Sequence, residues 1–216
     1  MDRKIENIIM KNLNEYINEN TYIIEKLIIV HKTYTCAPQS KAELKEIIKE
    51  RLLDDSNVDL NDINVSKIKD MSFLFEGLHP SNIDISKWDV SNVTNMKEMF
   101  FDCYNFNSDL NNWDVSNVTN MYCMFCGCTK FDSDLSRWDV SNVKNMYYMF
   151  NGCKNFDSDL SRWDVSNVKD MYAMFYTCKN FNSDLNSWDV SNVKDMRRMF
   201  DYCDSMKELP DWFKKR

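Results

Sequence analysis

The chain has 216 residues, a net charge of −7, and only three Gly and three Pro. The acidic balance argues against nucleic acid or an anionic membrane as an electrostatic partner. The scarcity of Gly and Pro argues against disordered linkers.

In chain order, residues 1–58 hold 9 basic and 10 acidic side chains and no repeat. Ile5, Ile8, Ile9, Leu13, Tyr16 and Ile17 recur at threes and fours, which predicts an amphipathic helix. Residues 22–30 fit a second helix or a buried strand, and periodicity does not decide between them. They are too short, and interrupted by too much charge, to span a bilayer. Met1-Asp2-Arg3-Lys4-Ile5 opens no secretory signal, so the expected compartment is the cytoplasm and the expected thiols are reduced. After Pro38, Ser40 and Glu43 read as a capping box, each side chain taking the other's orphan amide. Leu44, Ile47, Ile48 and Leu52 follow as the apolar face of a helix ending near Asp54. A repeat array has an apolar end that must be covered, so residues 1–58 are expected to be a mostly helical cap.

From Asp59 the sequence repeats. Trp88, Trp113, Trp138, Trp163 and Trp188 recur at one constant interval, and each opens Trp-Asp-Val-Ser-Asn-Val. Each such word is followed by Met-x-x-Met-Phe-x-x-Cys. A fixed period of this size marks stacked units, each too small to bury its own apolar face. Leu60, Ile63, Val65, Ile68, Met71, Leu74 and Phe75 form a degenerate first unit in the same register. Six coils result: 59–83, 84–108, 109–133, 134–158, 159–183 and 184–208. Residues 209–216 are a C-terminal cap; Leu209 arrives one residue early, and Trp212 and Phe213 are expected to fold back over the last coil.

Within one coil the inward set is Phe131, Leu135, Trp138, Val140, Val143, Met146, Met149, Phe150 and Cys153. Trp138 and Val140 share one face of a strand. Met146, Met149, Phe150 and Cys153 share one face of a helix of about two turns. Asn145 is placed to cap that helix, as are Asn95, Asn120, Asp170 and Asp195 in their coils. Parallel strands stacked at about 4.8 Å would make the six coils roughly 30 Å long.

These residues resemble a known family. Leu135-x-x-Trp138-x-Val140-x-x-Val143-x-x-Met146-x-x-Met149-Phe150-x-x-Cys153-x-x-Phe156 is similar to the BspA-like leucine-rich-repeat pattern. The Phe-x-x-Cys element recurs at Phe100/Cys103, Phe125/Cys128, Phe175/Cys178 and Phe200/Cys203. The departures are a period of 25 rather than about 23, Ser141 where the pattern has Pro, and Trp and Met in place of aliphatics and Ala. The Trp-Asp-Val-Ser-Asn-Val variant is similar to a mycoplasma-type subgroup of surface repeats. The resemblance covers about residues 59–208. It implies a leucine-rich-repeat-like solenoid with a binding or adhesion role at a cell surface. The fold class that follows is a right-handed α/β solenoid with an α-helical N-terminal cap.

Candidate chemistry is sparse. Asp recurs on two rails: Asp59, Asp84, Asp109, Asp134, Asp159 and Asp184, and then Asp89, Asp114, Asp139, Asp164 and Asp189. Stacked carboxylates repel, so each rail either gathers calcium or accepts backbone N–H bonds in Asx-turns. The Ser91/Ser116/Ser141 and Asn92/Asn117/Asn142 ladders read as turn residues. Cys103, Cys128, Cys153, Cys178 and Cys203 read as a ladder of buried thiols, while Cys123 and Cys126 are expected to face outward and react first. Cys123-x-x-Cys126-x-Cys128 resembles half a zinc site, but the only two histidines, His31 and His79, are distant in sequence. No nucleophile–base arrangement and no phosphate-cradling loop is visible, so neither catalysis nor a cofactor is expected.

The repeats vary at outward positions. Phe101, Tyr122, Tyr147, Tyr148, Tyr172 and Tyr176, with Arg197 and Arg198 at the C-terminal side, form the candidate binding surface. The same aromatics would also stabilise neighbouring coils simply by stacking. The expected protein is a monomeric, non-catalytic scaffold that binds a protein or a glycan. Self-assembly and a calcium-dependent module are the alternatives.

Overall fold

The computed structural model describes residues 35–54, 57–80 and 82–215. The helix expected over residues 5–17 and the helix or strand over 22–30 lie outside the described residues. Helix α1 spans Lys41–Asp54. Its start follows the sequence in part. The Ser40 hydroxyl takes the Glu43 N–H at 3.2 Å, but the Glu43 carboxylate reaches back to the Gln39 N–H at 2.7 Å, one residue short of a reciprocal box. Leu44 and Ile48 enter the same apolar core as the first repeat.

Two short strands follow, β1 (Asn57–Asp59) and β2 (Asn82–Asp84), paired in parallel with Asp59 opposite Asp84. Beyond them the parallel pairing contracts to single residues: Asp70, Asn95, Asn120, Asn145, Asp170 and Asp195 bridge in sequence, each to its counterpart in the next repeat. Each repeat is thus registered on the next by one full period.

The sides of the repeats differ from the expected strand and helix. Trp138 N–H bonds to Leu135 O at 3.1 Å and Val143 N–H to Val140 O at 2.9 Å, so turns consume the amides that a strand ladder needs. The expected helix over Met146–Cys153 is a succession of turns. Tyr148 and Gly152 lie in the left-handed region, at φ 54° and 78°, which interrupts any helical ladder. Their N–H groups turn sideways instead. Met146, Tyr148, Phe150 and Gly152 donate to the carbonyls of Asp170, Tyr172, Met174 and Tyr176 in the next coil, at 2.9–3.0 Å. Met149, Asn151 and Cys153 donate backwards to Met146, Tyr148 and Phe150, at 2.9–3.2 Å. Alternating amides therefore join coils and close turns. The inward set is as expected, because Met146, Met149, Phe150 and Cys153 are all fully buried.

One left-handed slot holds Phe73, Glu98, Cys123, Tyr148, Ala173 and Arg198; the other holds Gly77, Asp102, Gly127, Gly152, Thr177 and Tyr202. All three glycines of the chain sit in the second slot, where their lack of Cβ suits a positive φ.

Three Asx-turns shape each coil. Asp134, Asp139 and Asn145 accept the N–H two residues on, from Ser136, Ser141 and Tyr147, at 2.9–3.0 Å. The Asn ladder does something else: Asn142 Nδ2 donates to Ser116 O of the preceding coil at 2.8 Å, and Asn117, Asn167 and Asn192 repeat this rung. A further set was not singled out in the sequence. Ser108, Ser133, Ser158 and Ser183, each at the end of its coil, accept the N–H groups of Ile85, Leu110, Leu135 and Leu160 at the start of the same coil, at 2.8–3.2 Å.

The core is a set of ring stacks. Phe75, Phe100, Phe125, Phe150, Phe175 and Phe200 stack at 5.1–5.8 Å, with Phe106, Phe131, Phe156 and Phe181 interleaved at 4.0–4.2 Å. Trp138 lies parallel to Trp163 at 6.5 Å, and its Nε1–H donates to Leu110 O at 2.9 Å. Trp212 folds back as expected. It stacks on Trp188 at 6.4 Å and donates to Leu185 O at 2.7 Å, although it arrives one position early for the repeat. Pro210 opens the one-turn helix α2 (Asp211–Lys214) that carries it.

The thiol ladder is inward. Cys128, Cys153, Cys178 and Cys203 donate to Phe100, Phe125, Phe150 and Phe175 carbonyls of the preceding coil at 2.9–3.0 Å. Burial pushes the Cys103 and Cys203 thiols up to about 12 and those of Cys128, Cys153 and Cys178 well up. Cys123 corrects the sequence reading: it is 5 % exposed, a small side chain covered by its surroundings where the longer Tyr148 and Arg198 of the same slot reach further out. Its hydrogen bond with Cys126, then burial, raises its thiol. In native protein, alkylation followed by mass spectrometry is expected to mark Cys126 and Cys36 first. Cys123, Cys153 and Cys178 should label only at the rate of unfolding. Fast native labelling of Cys153 would contradict the burial described.

Candidate functional site

The candidate surface is built on the third Asx-turn of each coil. Asn120, Asn145 and Asp170 hold the N–H groups of Tyr122, Tyr147 and Tyr172 at 2.9–3.1 Å, so each ring leaves the backbone at the same angle. The rings of Tyr122 and Tyr147 lie 4.9 Å apart and parallel, and Tyr147 and Tyr172 are 5.3 Å apart at 17°. A cation closes each end. Lys97 Nζ stands 4.9 Å from the Tyr122 centroid, and Arg197 Cζ is 5.6 Å from that of Tyr172. Arg197 is aimed by Asp195, whose carboxylate takes its guanidinium at 2.6–3.2 Å.

Tyr148 stands edge-on beside this column, 4.5 Å from Tyr147 and 5.4 Å from Tyr172. Arg198 forms a second group with Tyr176, lying 4.8 Å over its ring, donating to its hydroxyl at 3.3 Å, and pairing with Asp201 at 3.3 Å. Tyr202, which the sequence reading did not include, meets Tyr176 edge-on at 5.4 Å and is 63 % exposed. Its position in the left-handed slot at φ 61° could have flagged it only through the backbone.

Two expectations change. The tyrosines are half-buried rather than exposed, because each covers its neighbour's face. Phe101 is not brought to the group: Cys126 and Asn151 occupy its slot in the two coils between it and Tyr176. At about 4.8 Å per coil that separation is roughly 14 Å.

Burial pushes the Tyr122 and Tyr148 hydroxyls up to about 12 and raises that of Tyr147. These phenols are therefore neutral donors near neutral pH. The column offers ring edges, hydroxyls and two terminal cations. An aromatic edge carries the positive part of the ring quadrupole, so the whole patch favours oxygen acceptors.

The Asp rails have a different character. Each carboxylate is already committed to a turn amide, and Asp134 also accepts from Ser158 Oγ at 3.3 Å. Asp132, Asp134, Asp157 and Asp159 line an open cavity of about 450 Å³ together with Arg137 and Arg162. Among the described residues no group of three His, Cys, Asp or Glu side chains is placed to hold a metal ion. His79 contacts the Asp102 carbonyl at 3.1 Å and stacks on Tyr104 at 5.9 Å. No described helix is long and apolar enough to cross a membrane.

Comparison with known proteins adds one finding. Residues 43–154 and 132–215 match the model of a family described as "Mycoplasma protein of unknown function, DUF285". No curated protein and no solved structure matches the chain.

Proposed function

The chain belongs to the DUF285 family of mycoplasma proteins, and we propose that it is a non-catalytic scaffold that binds another protein through its tyrosine column. On this reading the coils form a leucine-rich-repeat-like solenoid of the BspA type. Residues up to 58 and from 209 are its caps, and the role is interaction or adhesion.

One observation carries the proposal. Turn and core residues are copied from coil to coil, whereas Lys97, Tyr122, Tyr147, Tyr172 and Arg197 occupy one slot and change along it. The cations at its two ends, Lys97 and Arg197, add charge that a partner's carboxylates can meet. The geometry also favours protein over glycan. The ring faces are spent on each other at 4.9 and 5.3 Å, leaving edges and hydroxyls for a partner. Carbonyl and carboxylate oxygens on a protein surface meet those needs.

The test is the double substitution Tyr147→Ser/Tyr172→Ser, read by thermal melting and by pull-down from host and bacterial lysates. The expected result is a variant that still folds, with a melting temperature lower by about 5–10 °C from the lost ring contacts, and a loss of partner affinity above about 1 kcal/mol. Full recovery of the same partner by the variant would overturn the proposal. A large loss of melting temperature with partner affinity retained would assign the column to stacking alone.

A further inference from the structure

The hydrogen bonds that join the Met-Phe segments of neighbouring coils point one way. Tyr148, Phe150 and Gly152 donate forward to the carbonyls of Tyr172, Met174 and Tyr176, and Ala173, Phe175 and Thr177 donate forward to those of Arg197, Met199 and Asp201, at 2.9–3.0 Å. The same row begins with Phe73 N–H to Lys97 O at 2.9 Å. A ladder of one polarity ends on open carbonyls at its start and open N–H groups at its finish.

The two ends are treated differently. At the start, Lys45 Nζ of α1 reaches Phe73 O at 2.7 Å and Glu76 O at 3.4 Å, while Lys41 bonds Asp70 and Ser72 side chains at 2.9 and 2.8 Å. At the finish, no described residue accepts from the N–H of Arg198, Phe200 or Tyr202. Trp212 and Phe213 extend the ring stacks but supply this row with no carbonyl. The cover is measurably incomplete. Met196, Phe200 and Cys203 keep 6, 7 and 8 % exposure where Met171, Phe175 and Cys178 keep none. A cavity of about 440 Å³, lined by Lys194, Asp195, Met196, Arg197 and Phe213, opens at the same edge.

We propose that this rim docks an extended peptide segment of another protein as one further rung. The segment lies parallel to the last coil, gives backbone carbonyls to the Arg198, Phe200 and Tyr202 amides, and sets an apolar side chain into the Met196–Phe213 cavity. From the second coil onward, each internal interface of the array meets the counterparts of these three amides with a parallel row of carbonyls. Arg198 and Tyr202 are held at φ 62° and 61°, and alternation of left- and right-handed residues makes amides converge on oxygen acceptors. Lys194 and Arg197 suit a carboxylate on the flank of the segment. A second copy fits poorly. The end that carries the starting carbonyls is covered by α1, with Leu44 and Ile48 buried against the first coil and Lys45 Nζ on Phe73 O and Glu76 O, and two finishing ends would set donors against donors.

The experiment uses the full ¹⁵N-labelled chain and a synthetic peptide with the sequence of residues 169–177, which fills the equivalent place between internal coils. In the free chain the Arg198, Phe200 and Tyr202 amides should exchange at least about 100-fold faster than those of Tyr148, Phe150 and Gly152. Saturating peptide should shift the three resonances and slow their exchange by about tenfold or more, leaving Tyr122 and Tyr147 unmoved. Three amides unmoved by the peptide, or shifts centred on the tyrosine column, would overturn the proposal. Protection that rises with chain concentration alone would overturn it in favour of a second copy.

Discussion

Trp138→Ala should cost about 3–5 kcal/mol, a fall in melting temperature on the order of 10 °C. The residue is 3 % exposed, stacked on Trp163 and in tilted contact with Phe125, so truncation opens a void that rigid neighbours cannot close. It also leaves Leu110 O without the indole donor it has at 2.9 Å. Trp212→Ala removes the same chemistry from the end of the stack. It is half-buried where Trp138 is almost wholly buried, so about 1–2 kcal/mol is expected. Calorimetry of both variants decides the matter. Equal losses would mean that the rings do not act as one column graded from centre to end.

Acid should unfold the array through its Asx-turns. The Ser136 and Ser161 backbone amides, then their hydroxyls, hold the Asp134 and Asp159 carboxyls below the usual range. The Ser116 and Ser166 hydroxyls, then the backbone amides, do the same for Asp114 and Asp164, and the Ser191 amide lowers Asp189. A carboxyl depressed in the folded state adds stability that is fully present above its unfolded value of about 3.9. That stability is lost as pH falls through the folded value. Melting temperature should therefore be level from neutral pH to about 5 and fall steeply below about 4. Asp134→Asn/Asp159→Asn/Asp164→Asn keeps an acceptor for each turn without a titrating group. Its fall with acid should be visibly shallower than that of wild type. Superimposable pH profiles for the two proteins would rule out these turns as the source.

The inward residues were legible because a strand, a helix and a run of turns can all bury the same spacing. For that reason the spacing could not tell them apart. Met146, Met149 and Phe150 recur at three and four, and only the φ of Tyr148 and Gly152 separates helix from turns. Gly127 and Gly152, one period apart, carried a readable sign of a left-handed position; Tyr148, Cys123 and Glu98 in the other slot carried none. The tyrosine column was placed by its period, but its burial depends on ring faces meeting across coils, a distance that sequence does not encode. Phe101 was misplaced for a related reason, since composition counts aromatics without regard to the Cys126 and Asn151 that intervene.

The near-identity of the coils poses a hazard during folding. A segment docked one coil out of place would find almost every partner it wants, since Trp138 would meet Trp188 much as it meets Trp163. Alternative alignments of repeats are a characteristic failure of such chains. Only features that occur once can break the tie. Lys41 on Asp70 and Arg51 on Asp62, at 2.9 Å each, mark the beginning of the count. The shortened step to Trp212, with the Asp211 N–H on Asn186 Oδ1 at 2.9 Å, is a second such mark. Seen this way, the off-period turn works as punctuation, a mark that a segment docked one coil out of place would fail to match.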